Sequence, residues 1–256
     1  MHYIFKVVGI GYTIHDCAYQ TAGSSMSVIR DRVKNNFPMV LLTLLSIVQA
    51  LAFELLWDEI HQRPDLYQWS WEAVSGWMRV ITVFLGIVVI WHSYASNSMR
   101  FRWVPSMVDT LFPFCVGIVQ FSMIDRLGPE YVSQWLFLLA VLFAVMNWVS
   151  QNDMVRARLE VENSEFFEKR GRATLKDVLP VMLIVTSLCL MSFLVWMTGS
   201  NPWVTGIASF IAMFVIVVQM VIADGFWKWS LSLDNVQENK SSIVPNMEHD
   251  TGEKRS

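Results

Sequence analysis

The chain has 256 residues, 54% hydrophobic and 16% charged, with a mean hydropathy of +0.41; that is too apolar for a soluble domain of this length and points to a membrane. A net charge of −3 and a pI near 5.9, with the basic residues gathered by connection rather than on one face, exclude a nucleic-acid partner. Cys17, Cys115 and Cys189 offer neither a disulfide framework nor a CxxC metal pattern and are read as free thiols.

In chain order, residues 1–25 are of mixed polarity and match no secretory signal. Met26 opens MSVIRDRVKNNFP, a basic lead-in to the first apolar run. The expectation is that 1–25 lie upstream of the native start, within an N-terminal cytoplasmic segment 1–36.

Six apolar runs follow, at 37–57, 73–95, 104–124, 131–149, 179–199 and 203–223. Each is long enough, at about 1.5 Å per residue, to cross about 30 Å of hydrocarbon. Lipid leaves an open chain only the helix, so the predicted class is all-α, an integral membrane bundle of six transmembrane helices over 37–229. The basic link SNSMRFRW between the second and third runs is short enough to predict a tight antiparallel pair. The charged stretch 150–178 keeps a helical pattern over 151–170, with Gly171 as a stop and Thr174-x-x-Asp177 as a capping box, and is read as the fourth helix continued into the cytoplasm. Residues 230–256 are polar and aperiodic and are expected to be a disordered cytoplasmic tail.

Orientation follows from the Lys and Arg residues. With the N-terminus inside, the outer connections hold only Arg63 and Arg126, while Arg30, Lys34, Arg100, Arg102, Arg156, Arg158 and the others lie inside. Positive charge prefers the cytoplasmic side, so both termini are expected there, in the plasma membrane.

At 100° per residue, polar and small side chains fall into stripes. Thr43, Glu54, Asp58 and His61 share a face of the first helix; Ser75, Arg79, Thr82, Gly86 and Ser93 form a wedge on the second. Ser106, Asp109, Thr110, Pro113, Gly117 and Gln120 do so on the third, and Thr205, Ser209, Ala212, Gln219 and Ala223 on the sixth, leaving the fifth most exposed to lipid. Such stripes are what helix packing in a bilayer requires whatever the function. The charges ask for more, since an ionisable group at mid-helix costs about 2.5–3.5 kcal/mol on insertion scales. Helix direction puts Glu54 and Arg79 at similar depth near the outer ends and predicts an ion pair there, with Arg79 snorkelling outward as the alternative. His92 and Asp109 fall near the inner ends, where Asp109 precedes the helix-breaking Pro113.

No nucleotide-binding glycine loop, no Ser–His pair at matching depth and no second axial histidine is present, so neither an enzyme nor a cofactor is expected. Glu54, Asp58 and His61 lie on a single helix that supplies few ligands, so no metal is expected either. The leading function is a small cation or proton-linked transport or channel-type protein, with Asp109 and His92 as an inner gate and Glu54 with Arg79 as an outer latch. The alternative is a non-transporting membrane subunit or sensor that docks a membrane or cytoplasmic protein through 150–178 and the tail.

Overall fold

In a lipid bilayer every backbone amide needs an internal partner, and this sequence meets that demand with helices alone. A computed structural model of the chain describes residues 23–170, 175–199 and 201–243. Its helices are α1 (Gly23–His61), α2 (Trp71–Arg100), α3 (Met107–Ile124), α4 (Val132–Ala157), α5 (Ser164–Arg170), α6 (Leu175–Met197) and α7 (Pro202–Ile243), with single 3-10 turns at Pro64–Tyr67, Pro129–Tyr131 and Val161–Asn163. Six of them, all but α5, are long and apolar enough to cross a membrane. The protein is a multi-pass membrane protein of the all-α class.

Several boundaries differ from expectation. The last helix runs on to Ile243, past the start of the expected tail at 230; no proline or glycine stands between Trp227 and Pro245 to stop it. Residues 1–22, Cys17 among them, lie outside the described residues, as do 171–174, which hold the expected stop at Gly171 and the first residue of the expected capping box. The fourth helix ends at Ala157 instead of continuing to 170: the Ala157 carbonyl accepts Asn163 Nδ2 at 2.7 Å and the Glu160 N–H at 3.2 Å, a tighter turn than the helical ladder.

The second and third helices are not a tight pair. α2 packs on α7 and α1, whereas α3 packs on α1 and α4, and α2 and α3 touch little. The connection 101–106 is extended rather than a turn. At about 3.3 Å per residue its reach is about 20 Å, twice the spacing of packed helices. The helices are thus joined round a ring in the order α7, α2, α1, α3, α4, α6, with the α6–α7 contact lightly made.

Small and hydrogen-bonding residues let the helices approach. Ser75 and Thr82 of α2 are buried, as are Thr205, Ser209 and Ala212 of α7, and Ser75 Oγ lies 3.2 Å from Ser209 Oγ. Gly117 admits α1, since a Cβ there would stand 2.7 Å from Val48 Cγ1. Ser133 and Ser192 each donate a hydroxyl to the other's carbonyl, at 2.9 and 2.8 Å, and join α4 to α6. Between α1 and α3 the Gln49 and Gln120 amides are buried and donate to each other at 3.0 and 3.1 Å. The stripes on α2 and α7 therefore face inward as expected. That on α1 does not: Thr43, Glu54, Asp58 and His61 are exposed, and the buried face is Leu45, Val48, Gln49, Ala52 and Leu56. Cys115 is exposed and Cys189 half-buried, both as free thiols.

The amide pair gives a clean test. Gln49→Leu leaves Gln120 buried without its partner and should lower stability in detergent by about 1–2 kcal/mol. Gln49→Leu with Gln120→Leu should recover most of that loss, read as the midpoint of thermal unfolding.

A polar cavity at the basic end of the bundle

The basic residues collect at the end of the bundle where α1 begins, α2 and α4 end and α3 begins; Asp58, Glu59, Asp65, Glu72, Asp125 and Glu130 collect at the other. At the basic end the turn after α4 is fastened to α1. Glu160, buried, accepts from Lys34 Nζ at 2.5 Å and from Arg30 Nη2 at 2.8 Å. Burial works to raise the Glu160 pKa, but the hydrogen bonds and charges of Lys34 and Arg30 outweigh it and hold the carboxyl below its ordinary value. Asn163 fastens the same turn to the α2–α3 connection, donating to the Arg102 carbonyl at 2.6 Å and accepting from the Arg102 N–H at 3.1 Å. Phe101, Trp103, Ala157 and Phe167 close a small apolar core beneath.

Deeper lies a cluster around Arg156. Ser106 is the N-cap of α3, and Asp109 in the first turn reaches back to accept the Ser106 N–H at 2.6 Å, one half of a capping box. Arg156 grips the Asp109 carboxylate with both terminal nitrogens, Nη1 at 2.6 Å and Nη2 closer still, and Nη1 also donates to Ser106 Oγ at 2.7 Å. Nη2 has a second acceptor, Asp153 Oδ1, at 2.7 Å. Two buried carboxylates thus meet on one nitrogen of one guanidinium. Like charges about 5 Å apart repel by about 3 kcal/mol at an effective dielectric near 20.

Asp153 opens onto a cavity of about 720 Å³. The cavity is walled by α2, α4 and α7, with Phe112 of α3, Phe167 of α5 and Val181 of α6. Ser93, Asn97, Asn147, Gln151 and Gln219 give it amides and hydroxyls; Tyr94, Phe143 and Phe226 give it aromatic faces. Arg100 and Arg158 also line it, the first 4.5 Å from the Phe226 ring centroid and the second 4.8 Å from that of Phe167.

Toward the acidic end an apolar layer including Val83, Ile87, Val116, Leu139 and Ile216 fills the interior. Beyond it Arg79 is 1% exposed. Its Nε donates to the Leu127 carbonyl at 3.0 Å and Nη1 to Ser75 Oγ at 2.9 Å and Ser209 Oγ at 3.4 Å. This side chain ties α2, α7 and the α3–α4 connection together.

The predicted site residues therefore meet different partners. Arg79 neither snorkels nor pairs with Glu54, whose face of α1 is turned outward. Asp109 sits at the helix start rather than at depth, because α3 begins at Met107 after the Pro105–Ser106 cap, and it faces Arg156, not His92. His92 lines the cavity, with Nε2 3.5 Å from Ser96 Oγ and its ring against Trp227. Sequence reasoning missed Asp153, Arg156, Glu160, Asn163 and Gln49. Two signals were there: Ser106-x-x-Asp109 is itself a capping-box pattern, and Asp153 and Arg156 stand three apart on one helix face. Among the described residues no three His, Cys, Asp or Glu side chains are grouped to hold a metal ion. Comparison with protein-family models, with curated proteins and with solved structures finds no match to this chain.

Glu160 sets a pH dependence. Its pKa is depressed in the fold, so its contribution is full above the ordinary value of 4.5 and is lost as pH falls through the lower folded value. Glu160→Gln should lower stability by about 1–3 kcal/mol at pH near 7, and the gap between variant and parent in thermal midpoint should close as the solution is acidified below that ordinary value.

Proposed function

We propose that the protein is a small membrane transport protein, proton-linked, rather than an enzyme, which admits its solute from the basic end into the cavity between α2, α7 and α4. The observation that carries this reading is the cavity itself: a space about 720 Å³ in volume, with several amides and hydroxyls in its lining, between helices of a membrane bundle, backed by an apolar layer and with Arg79 beyond it. Bilayer helices pack without such a space unless something enters it, since each polar group facing it is otherwise a cost. Asp153, the acid in its lining, supplies the proton link, and His92 lines the same cavity. The excess of Lys and Arg at this end supports a cytoplasmic position for it and for both termini, in the plasma membrane. Arg79 keeps the role of latch at the outer side, through Ser75, Ser209 and Leu127 in place of Glu54. Asp109 serves the inner side as the anchor of Arg156.

A rival reading, a subunit that docks a partner through 150–178, draws on Leu159 and Val161, which are exposed in the turn after α4. The rest of that turn is occupied by contacts within the chain, through Glu160 and Asn163.

Liposomes loaded with a pH-sensitive dye and carrying the purified chain should dissipate an imposed proton gradient, and Asn147→Leu or Gln219→Leu should slow that dissipation about tenfold, close to 1.4 kcal/mol of barrier. Liposomes tight to protons, sodium and potassium alike, together with a co-purifying protein lost on Leu159→Asn, would establish the docking role instead.

A further inference from the structure

We propose that Asp153 is the proton-binding site of the cavity, and that its protonation hands Arg156 wholly to Asp109 and the start of α3. The inference rests on the transport reading for its purpose but on separate observations for its chemistry. The Asp109 carboxyl accepts from both terminal nitrogens of Arg156, from the Ser106 N–H and from the Ser106 hydroxyl at 3.3 Å. Asp153 receives one hydrogen bond among the described residues, from Nη2 to Oδ1, although it is only 7% exposed. Arginine does not give up its proton in a protein, so one cation is shared by two buried acids. Of such a pair, the acid with fewer donors takes the proton.

The cavity provides the route. Asp153 is part of its lining, and Asp109 is not. A proton delivered through cavity water forms an O–H bond on the Asp153 carboxylate and turns it neutral, and the charge-assisted bond from Nη2 weakens to an ordinary one. No other bond is made or broken. The charged and titratable groups facing Asp153 are His92, Tyr94 and Arg100 from α2, Asp109 from α3, Arg156 from α4 and Arg158 from the turn after it. From α6 and α7 the cavity receives no titratable side chain among the described residues. With the proton on, Arg156 is left with Asp109 and Ser106 as its charged and polar anchors, and the tie between the last turn of α4 and the first turn of α3 moves onto a single acid.

Infrared difference spectroscopy on the full chain in liposomes, with no gradient imposed, reads the acid directly. Lowering the pH from about 9 to about 5 should raise a carbonyl band of a protonated, buried carboxylic acid. The band should vanish in Asp153→Asn, which keeps the acceptor for Arg156, and return at a shifted frequency in Asp153→Glu. A band that persists in Asp153→Asn, or its absence from the parent protein, would overturn the proposal. Because the band is read without flux, its presence in a protein that passes no protons would remove the transport reading and leave Asp153 standing; flux without the band would do the reverse.

Discussion

The Arg156 guanidinium decides the shape of the basic end. Among the described residues it is the one cation bonded to Asp109 and Asp153, and through Ser106 it also reaches the cap that starts α3. Burying these groups costs several kcal/mol for each ion unless the pairing is close. The pairing fixes where α3 begins relative to the last turn of α4. That in turn fixes the course of 101–106, whose Phe101 and Trp103 pack on Ala157 and whose Arg102 backbone is held by Asn163. The floor of the bundle at this end is one connected network, from Arg30 and Lys34 through Glu160 to the start of α3.

At the opposite end the same problem, a guanidinium with no water, has a different solution. Arg79 bonds to a backbone carbonyl and two serine hydroxyls. Leu127 lies in the α3–α4 connection, three residues past the end of α3, and its carbonyl accepts from Arg79. Neutral partners satisfy the donors without fixing the charge as a carboxylate would. Carboxylates hold Arg156 and Lys34 at the basic end, whereas Arg79 at the acidic end is held by a carbonyl and hydroxyls, although its neighbour Arg63 pairs with Asp65 at 2.6 Å.

How much of this the sequence discloses depends on the element. The class and number of spans are written in runs of apolar residues that no soluble fold tolerates, and the inward wedge of Ser75, Arg79 and Thr82 is legible because polar groups have nowhere else to go in lipid. The stripe on α1 misleads because two of its members, Asp58 and His61, belong to a helix end that stands among exposed residues; near an end, polar character does not report the buried face. Gln49, four residues from Leu45 on the buried side, was the better guide to α1. Partner choice is harder still. Arg79 and Glu54 have complementary charges and matching depth, yet one faces in and the other out, and helix rotation is set by side chains on three neighbours at once. Arg156 reads as one more positive charge marking a side of the membrane, and the only local sign of its other role is Asp153 three residues before it; its partner on α3 is not local at all.

The pattern of ties also says where the frame is stiff. Gln49 and Gln120 join α1 to α3, Arg156 and Ser106 join α3 to α4, and Ser133 and Ser192 join α4 to α6. A separate set, Ser75 with Ser209 and Trp71 with the Pro202 carbonyl, joins α2 to α7. The chain therefore divides into two groups of helices. They meet along α1 and α2, where Phe53 packs on Phe84 and Trp91 donates to Ser46, and they part at the light contact between α6 and α7, with the cavity between. Arg79 crosses that division from α2 to the α3–α4 connection at the acidic end. Arg156 does not cross it, since both its acids lie on α3 and α4. A swing of α2 and α7 about the α1 seam accordingly leaves the carboxylate cluster whole. It has to break the bond from Arg79 to Leu127, a single hydrogen bond to a neutral carbonyl. An ion pair at that place would be harder to open inside a membrane than a hydrogen bond to a neutral carbonyl.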